Sequence, residues 1–159
     1  MTNKRPMSQS RTISTKLVLP PDTNNLQTIF GGKVLAYIDE IAAIASMKHS
    51  NMAVVTASID RVDFVSSASV GDVLELEAVV SSTGRTSMEV YVLVHSMNPL
   101  IGGERRLTTE SFLTMVAMDS NNKPIPVPGL YPETEEEQAL FDMGPARRAH
   151  RKERIKTQH

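Results

Sequence analysis

Cysteine is absent from all 159 residues, which excludes a disulfide framework, a thiolate metal site and a cysteine nucleophile together. Tryptophan is absent too, and aromatic residues amount to 4% against nine methionines. The interior this implies is pliable and suited to flexible aliphatic groups. No apolar run is long enough to span a bilayer, and the opening MTNKRPMSQSR lacks the apolar core a signal peptide needs. A cytoplasmic location without a membrane partner is therefore expected. The formal net charge is only −1, which provides no global attraction toward nucleic acid. The four histidines show no ligand spacing, so no metal site is expected. What remains, 40% hydrophobic and 22% charged residues, is ordinary for one globular domain with a single core.

The chemistry concentrates in Pro21 to Ser50, PDTNNLQTIFGGKVLAYIDEIAAIASMKHS. The segment passes from a polar turn through a glycine pair into an alanine-rich helical run. At about 100° per residue, Val34, Leu35, Ile38, Ile41, Ala42 and Ala45 form one stripe that a core should bury. Lys33, Glu40 and Lys48 fall outside it and can reach water. Asp39 lies on the shoulder of the stripe beside Ala36, Ala43 and Ser46, whose small side chains leave a groove next to the carboxylate. Gly31 and Gly32 offer backbone N–H groups at the helix start and let a ligand approach closely. Asn24 adds an amide on the loop leading in. On a helix taken at random Asp39 would be a boundary charge; the asparagine and glycines just upstream argue for chemistry.

Thr12 to Leu19 is predicted as a strand stopped by Pro20-Pro21. Ala53 to Val65 is a long strand whose polar members Thr56, Ser58 and Asp60 share a parity, and hence one face directed to a site or an interface. Asp72 to Val80 and Met88 to His95 form a hairpin around SSTGRTS, with Leu74, Leu76, Ala78 and Val80 lining one face. The last strand, about Arg105 to Met118, is followed by IPVPGLYP, which leaves the domain in extended form. One helix and then consecutive antiparallel strands make an α+β domain, with that helix the sole cover for the sheet. An open edge and a second, partly apolar face leave the monomer incomplete, so dimerisation is expected. The divisions expected are a flexible N-terminus over 1–9, the domain over 10–128, and a charged, partly helical C-terminal tail over 129–159. The tail's acidic half and basic half read as a solvated helix pairing with its neighbours, or else as a site for phosphates or an acidic partner.

PDTNNLQTIFGGKVLAYID closely resembles the hot-dog fold acyl-CoA thioesterases, the acyl-CoA hydrolase group with bacterial and brain-type cytosolic members. AVVTASIDRVDFVSSASVGD, GRTSMEVYV and FLTMVAMDSNNKPIPVP follow in the family's order, so the likeness runs from about Ser10 to Pro128. D-x-N followed by F-G-G and an aspartate is its specific part, whereas GRTS alone is weak. Many members carry glycine where this chain has Gln27, which bears on the loop shape near Asn24.

The resemblance implies a hot-dog fold, an antiparallel sheet wrapped around one central helix. It also implies dimers joined edge to edge with active sites at the interface, and three such dimers in a hexamer. The implied reaction is hydrolysis of acyl-CoA to free fatty acid and coenzyme A. Asp39 matches the catalytic carboxylate, acting as general base or nucleophile, and Asn24 the catalytic amide, supplied from opposite subunits. Gly31 and Gly32 would stabilise charge developing on the thioester oxygen. Gly84, Arg85, Thr86 and Ser87 would contact coenzyme A, with Arg85 pairing a phosphate; without the resemblance that tip is an ordinary turn with a solvated arginine. Coenzyme A is part of substrate and product, and no cofactor is implied. The competing expectation is a non-catalytic acyl-CoA binding or sensing protein, since the fold also serves in regulators. Such a regulator would carry a DNA-binding module, and this chain offers only its basic tail. A hot-dog hydratase would need a histidine near the carboxylate, for which neither His49 nor His95 is an obvious partner.

Overall fold

The computed structural model of the chain describes residues 3–157. In chain order the strands are β1 (Lys4–Pro6), β2 (Thr12–Leu17), β3 (Ala53–Phe64), β4 (Val73–Thr83), β5 (Ser87–Met97), β6 (Arg106–Met118) and β7 (Gly129–Tyr131). The helices are α1 (Gly31–Ser50), α2 (Glu135–Asp142) and α3 (Gly144–Thr157). Along α1 the expected stripe is buried: Val34, Ile38, Ile41, Ala42 and Ala45 are at most 2% exposed, while Leu35 is half-buried. The helix stops where Asn51 turns left-handed at φ 59° and returns its N–H to the carbonyl of Met47. Asparagine is among the few residues other than glycine that tolerate this cap. No helix among the described residues is long and apolar enough to cross a membrane.

Strands β2 to β6 form one antiparallel sheet in the spatial order β2-β4-β5-β6-β3. Its inner face is a set of alternate residues: Leu74, Leu76, Ala78 and Val80 of β4, Met88, Val90, Val92 and Val94 of β5, and Leu113, Met115 and Ala117 of β6. None of these is more than 1% exposed, because α1 packs along them. Burial of this continuous face is the main stabilising contribution. The strand edges fall within a few residues of the expected ones. β2 and β3 are the two edge strands, and β3 presents Val55 at 48% and Ile59 at 37% exposure, an unpaired edge of the kind that seeks a partner strand.

Strand β3 departs from the expected parity. Its register against β6 shifts between Thr56 and Ser58 and again between Ile59 and Arg61. An extra residue in a ladder reverses the facing of those that follow. Thr56, opposite the inward Met115, therefore faces α1, whereas Ser58 and Asp60 bond to groups on the outer face.

The ends of the chain are also more closely integrated than expected. Met7 is 0% exposed, and β1 pairs in parallel with β7, Arg5 standing opposite Leu130. The expected flexible lead-in is thus an ordered part of the domain over residues 4–9; Met1 and Thr2 lie outside the described residues. Likewise Val127 and Leu130 are buried, so the proline-stiffened segment stays with the domain. The tail carries α2 and α3, and its basic half pairs with the sheet. Arg147 binds Glu89, and Arg151 and Arg154 bind Asp60, giving the sheet a second cover. At the start of α3 a side chain on Gly144 would place Cβ 2.6 Å from Ser82 Oγ. Gly144→Ala is expected to displace α3 and cost about 1–3 kcal/mol, measured by urea denaturation and by faster proteolysis within 144–157. Unchanged stability and proteolysis would show that α3 does not need this seat.

His49, 0% exposed, is committed to joining these segments. Its Nε2 donates to the carbonyl of Pro128 at 2.8 Å, and its Nδ1 is buried without a partner among the described residues. Burial, with Arg5 nearby, holds its pKa below the ordinary 6.5 despite the Pro128 bond. The unfolded chain therefore takes up the proton first. Stability from this group is fully present above the unfolded value and is lost as pH falls below it. The melting temperature is expected to fall between pH 7 and about 5, with a smaller fall in His49→Gln; equal falls would remove His49 as the cause.

Candidate active site

Asp39 lies two turns into α1, half-buried, where Thr56 of the edge strand reaches it. Thr56 Oγ1 donates to Asp39 Oδ1 at 2.6 Å, while Oδ2 has no hydrogen-bond partner among the described residues. One carboxylate oxygen is thus held and the other is open to a water or a carbonyl carbon. The sequence reading did not identify Thr56 as a partner of Asp39. Its only local signal was the polar residue in a branched strand, because the contact joins helix and sheet across 17 positions.

Asn24 is placed by its own loop. Its Oδ1 accepts the N–H of Leu26 at 2.9 Å, and both the N–H and the hydroxyl of Thr28 at 3.2 Å. The two backbone groups can only donate, so the atom facing them is the oxygen. The amide NH2 is left without a partner among the described residues. Gln27 stands at φ 62°, the left-handed conformation that a glycine adopts freely. Gln27 therefore keeps the loop in a glycine-like shape at a cost of about 1 kcal/mol, and its N–H closes on the carbonyl of Asn24 at 3.0 Å.

Helix α1 begins at Gly31 with Phe30 as a cap that offers no side-chain acceptor. The N–H groups of Lys33 and Val34 both turn back to the carbonyl of Phe30. Those of Gly31 and Gly32 have no partner among the described residues, and they carry the positive end of the helix dipole. Beside them is a cavity of about 360 Å³ lined by Ile29, Gly31, Val34, Phe64 and the hydroxyl residues Ser66 and Thr108. A Cβ at Gly31 would lie 3.3 Å from the ring of Phe64, so glycine keeps this approach open. Within one chain Asn24 and Asp39 share no hydrogen bond, and Asp39 is about 12 Å along the axis from Gly31.

The hairpin tip is pinned through its backbone: Gly84 N–H donates to Ser87 O at 2.8 Å, and the carbonyls of Arg85 and Thr86 accept from Val127 and Ala117. The Arg85 side chain is exposed and has no ion pair among the described residues. Thr56, Met115 and Met88 stand in one row across the sheet. The tip is therefore two strands, about 10 Å, from Thr56. His49 is occupied at Pro128, and His95 has burial and Arg105 lowering its pKa; neither bonds to Asp39. No group of three or more residues suited to hold a metal ion occurs among the described residues.

A family model described as thioesterase superfamily matches residues 26–101. An uncharacterised acyl-CoA thioester hydrolase of Bacillus subtilis is 47% identical over 146 residues, 92% of this chain and 84% of that protein. An apo hexameric acyl-CoA thioesterase of known structure is 68% identical with a TM-score of 0.93, over 96% of this chain and 97% of that one. The acyl-CoA hydrolase of Staphylococcus aureus, solved with butyryl coenzyme A, coenzyme A and coenzyme A disulfide, is 43% identical with a TM-score of 0.91, over 98% and 94%. It has also been solved as variants in which an asparagine, an aspartate or a threonine is replaced by alanine. Of the rat cytosolic acyl coenzyme A thioester hydrolase, 33% identical, the chain spans 37% of the length.

Proposed function

Since the chain belongs to the thioesterase superfamily, with an acyl-CoA thioester hydrolase as a relative across most of its length, we propose that it hydrolyses acyl-CoA to a free fatty acid and coenzyme A in the cytoplasm. The observation that carries the reading is the Asp39 carboxylate, held by Thr56 on one oxygen and open on the other. In the S. aureus hydrolase the asparagine, aspartate and threonine changed to alanine are separated along the chain as Asn24, Asp39 and Thr56 are here. This supports assigning the three residues to one site.

In the proposed reaction Asp39 Oδ2 takes a proton from a water whose oxygen attacks the thioester carbonyl carbon. The N–H groups of Gly31 and Gly32 that receive the developing oxyanion come from the second subunit, together with the Asn24 amide that orients the water or the carbonyl, because the glycines of the subunit supplying Asp39 are about 12 Å from it. Collapse of the tetrahedral species breaks the carbon–sulfur bond. The proton held by Asp39 passes to the departing thiolate, leaving carboxylic acid and coenzyme A thiol. Direct attack by Asp39 would instead break the carbon–sulfur bond to release the thiolate and form a mixed anhydride; water then opens the anhydride, restoring the Asp39 carboxylate and leaving the carboxylic acid, with the water's proton going to the thiolate. Arg85 and the hydroxyls of Thr86 and Ser87 hold the coenzyme A end. The open edge of β3 pairs with that of a second copy, so that Asn24 of one subunit serves Asp39 of the other, and three dimers form a hexamer.

The test is thiol release from acyl-CoAs of increasing chain length, run beside a measurement of mass in solution. Hydrolysis by a dimer or hexamer supports the reading. A folded oligomer that binds acyl-CoA without releasing thiol would make the protein a sensor.

A further inference from the structure

The proposed reaction places the thioester carbonyl but leaves the acyl chain without a location. With the carbonyl oxygen at the free N–H groups of Gly31 and Gly32, the chain starts beside the first turn of α1. The cavity of about 360 Å³ opens at that point, with Gly31 itself in its wall. The coenzyme A end is assigned to the hairpin tip, none of whose residues lines this space. The two ends of the substrate therefore do not compete for it.

The wall is apolar in its chemistry. Ile29 packs against the core, and Val34 is 1% exposed. Phe64 holds its ring over the helix start, 3.3 Å from where a side chain on Gly31 would begin. Two hydroxyl residues also line the space, but their protons are spent. Ser66 Oγ donates to the carbonyl of Leu107 at 2.7 Å, and Thr108 Oγ1 donates to Ser96 Oγ at 2.8 Å. A hydroxyl has one proton to give, so neither has one left for a polar substituent on a chain. Thr108 is 2% exposed and forms the floor. Phe64, 54% exposed, and the exposed Ser67 stand at the rim.

An apolar cavity of about 150 Å³ holds the six carbons of benzene. At that density about 360 Å³ takes about fourteen carbons. Resting on the acyl-CoA reading above, we propose that this cavity receives the acyl chain and sets the substrate class, chains without polar substituents up to about fourteen carbons long. Phe64, Ser67 and Thr108 determine where that range ends. Each methylene moved from water into such a wall multiplies affinity about fourfold. The gain continues until the chain meets the floor and then stops.

The test is steady-state thiol release from straight-chain acyl-CoAs between acetyl and stearoyl, by the intact oligomer of wild type, Ser67→Phe and Phe64→Ala. For wild type, kcat/KM rises from acetyl to lauroyl or myristoyl and falls by stearoyl. The 3-hydroxy derivative of lauroyl-CoA is used about tenfold less well than lauroyl-CoA, because its hydroxyl loses water without gaining a donor. Ser67→Phe fills the rim and lowers the ratio of kcat/KM for lauroyl-CoA to that for acetyl-CoA about tenfold or more. Phe64→Ala widens the rim and moves the optimum to longer chains. Ser67 is exposed and lies beyond the end of β3, so its variant reads the cavity without disturbing the strand that pairs. Turnover that keeps rising through stearoyl, or the wild-type profile retained in Ser67→Phe, overturns the proposal. Absence of thiol release at every length would instead end the thioesterase reading. In that case calorimetric affinity for acyl-CoA that rises with length in wild type and stays flat in Ser67→Phe still supports the cavity, and affinity flat in both overturns it.

Discussion

Asp39→Asn is expected to lower kcat for acyl-CoA hydrolysis by about 10³-fold while leaving folding and coenzyme A affinity close to wild type. The substitution keeps the shape of the side chain and its capacity to accept from Thr56 at Oδ1. It removes the second oxygen as a proton acceptor and as a nucleophile, so either version of the mechanism stops. Asp39 is half-buried at the helix surface and paired by one hydroxyl, so no buried salt bridge is lost and stability should change little. The measurements are single-turnover thiol release, calorimetric binding of coenzyme A and a melting curve on the same preparation. Turnover within about tenfold of wild type would remove Asp39 from the chemistry, however well the family pattern fits.

Asn24→Asp is expected to cost about 10²-fold in kcat with little change in melting temperature. Asn24 performs two tasks with two ends of one group. Its oxygen closes the loop through three hydrogen bonds from Leu26 and Thr28, and its NH2 remains for the substrate or the attacking water. An aspartate retains the accepting oxygen and replaces only the NH2, adding negative charge where the mechanism needs a donor. Asn24→Ala removes both and should lower stability as well as turnover. If Asn24→Asp retains full activity while Asn24→Ala loses it, the residue is a loop former and the proposed catalytic amide is wrong.

The differences between expectation and structure follow the range over which each signal acts. The α1 stripe, the hairpin at Gly84 to Ser87 and the alternation of β4 were legible because a helix period, a strand period and a turn are written in neighbouring residues. Asp39 and Asn24 were legible as candidates because polar side chains beside glycines and alanines stand out locally. Strand β3 was misread, since a bulge is decided by how the strand meets β6. It sends Thr56 to Asp39 and Asp60 to the arginines of α3, though their parity alone would place them together. The role of the tail was hidden for a similar reason. Its arginines look like a solvated basic run until Glu89 and Asp60, about 60 and 90 positions upstream, arrive beneath them.

The sequence by itself determined the α+β class, the helix that the sheet enfolds and the residue types available for acyl transfer, because hydrophobic periodicity and side-chain chemistry are local properties. Only the tertiary structure decided which oxygen of Asp39 is free, which end of Asn24 is spent, and that a cavity lies beside the glycine pair. Each of these depends on partners brought together by strand register and packing, and no run of adjacent residues encodes that.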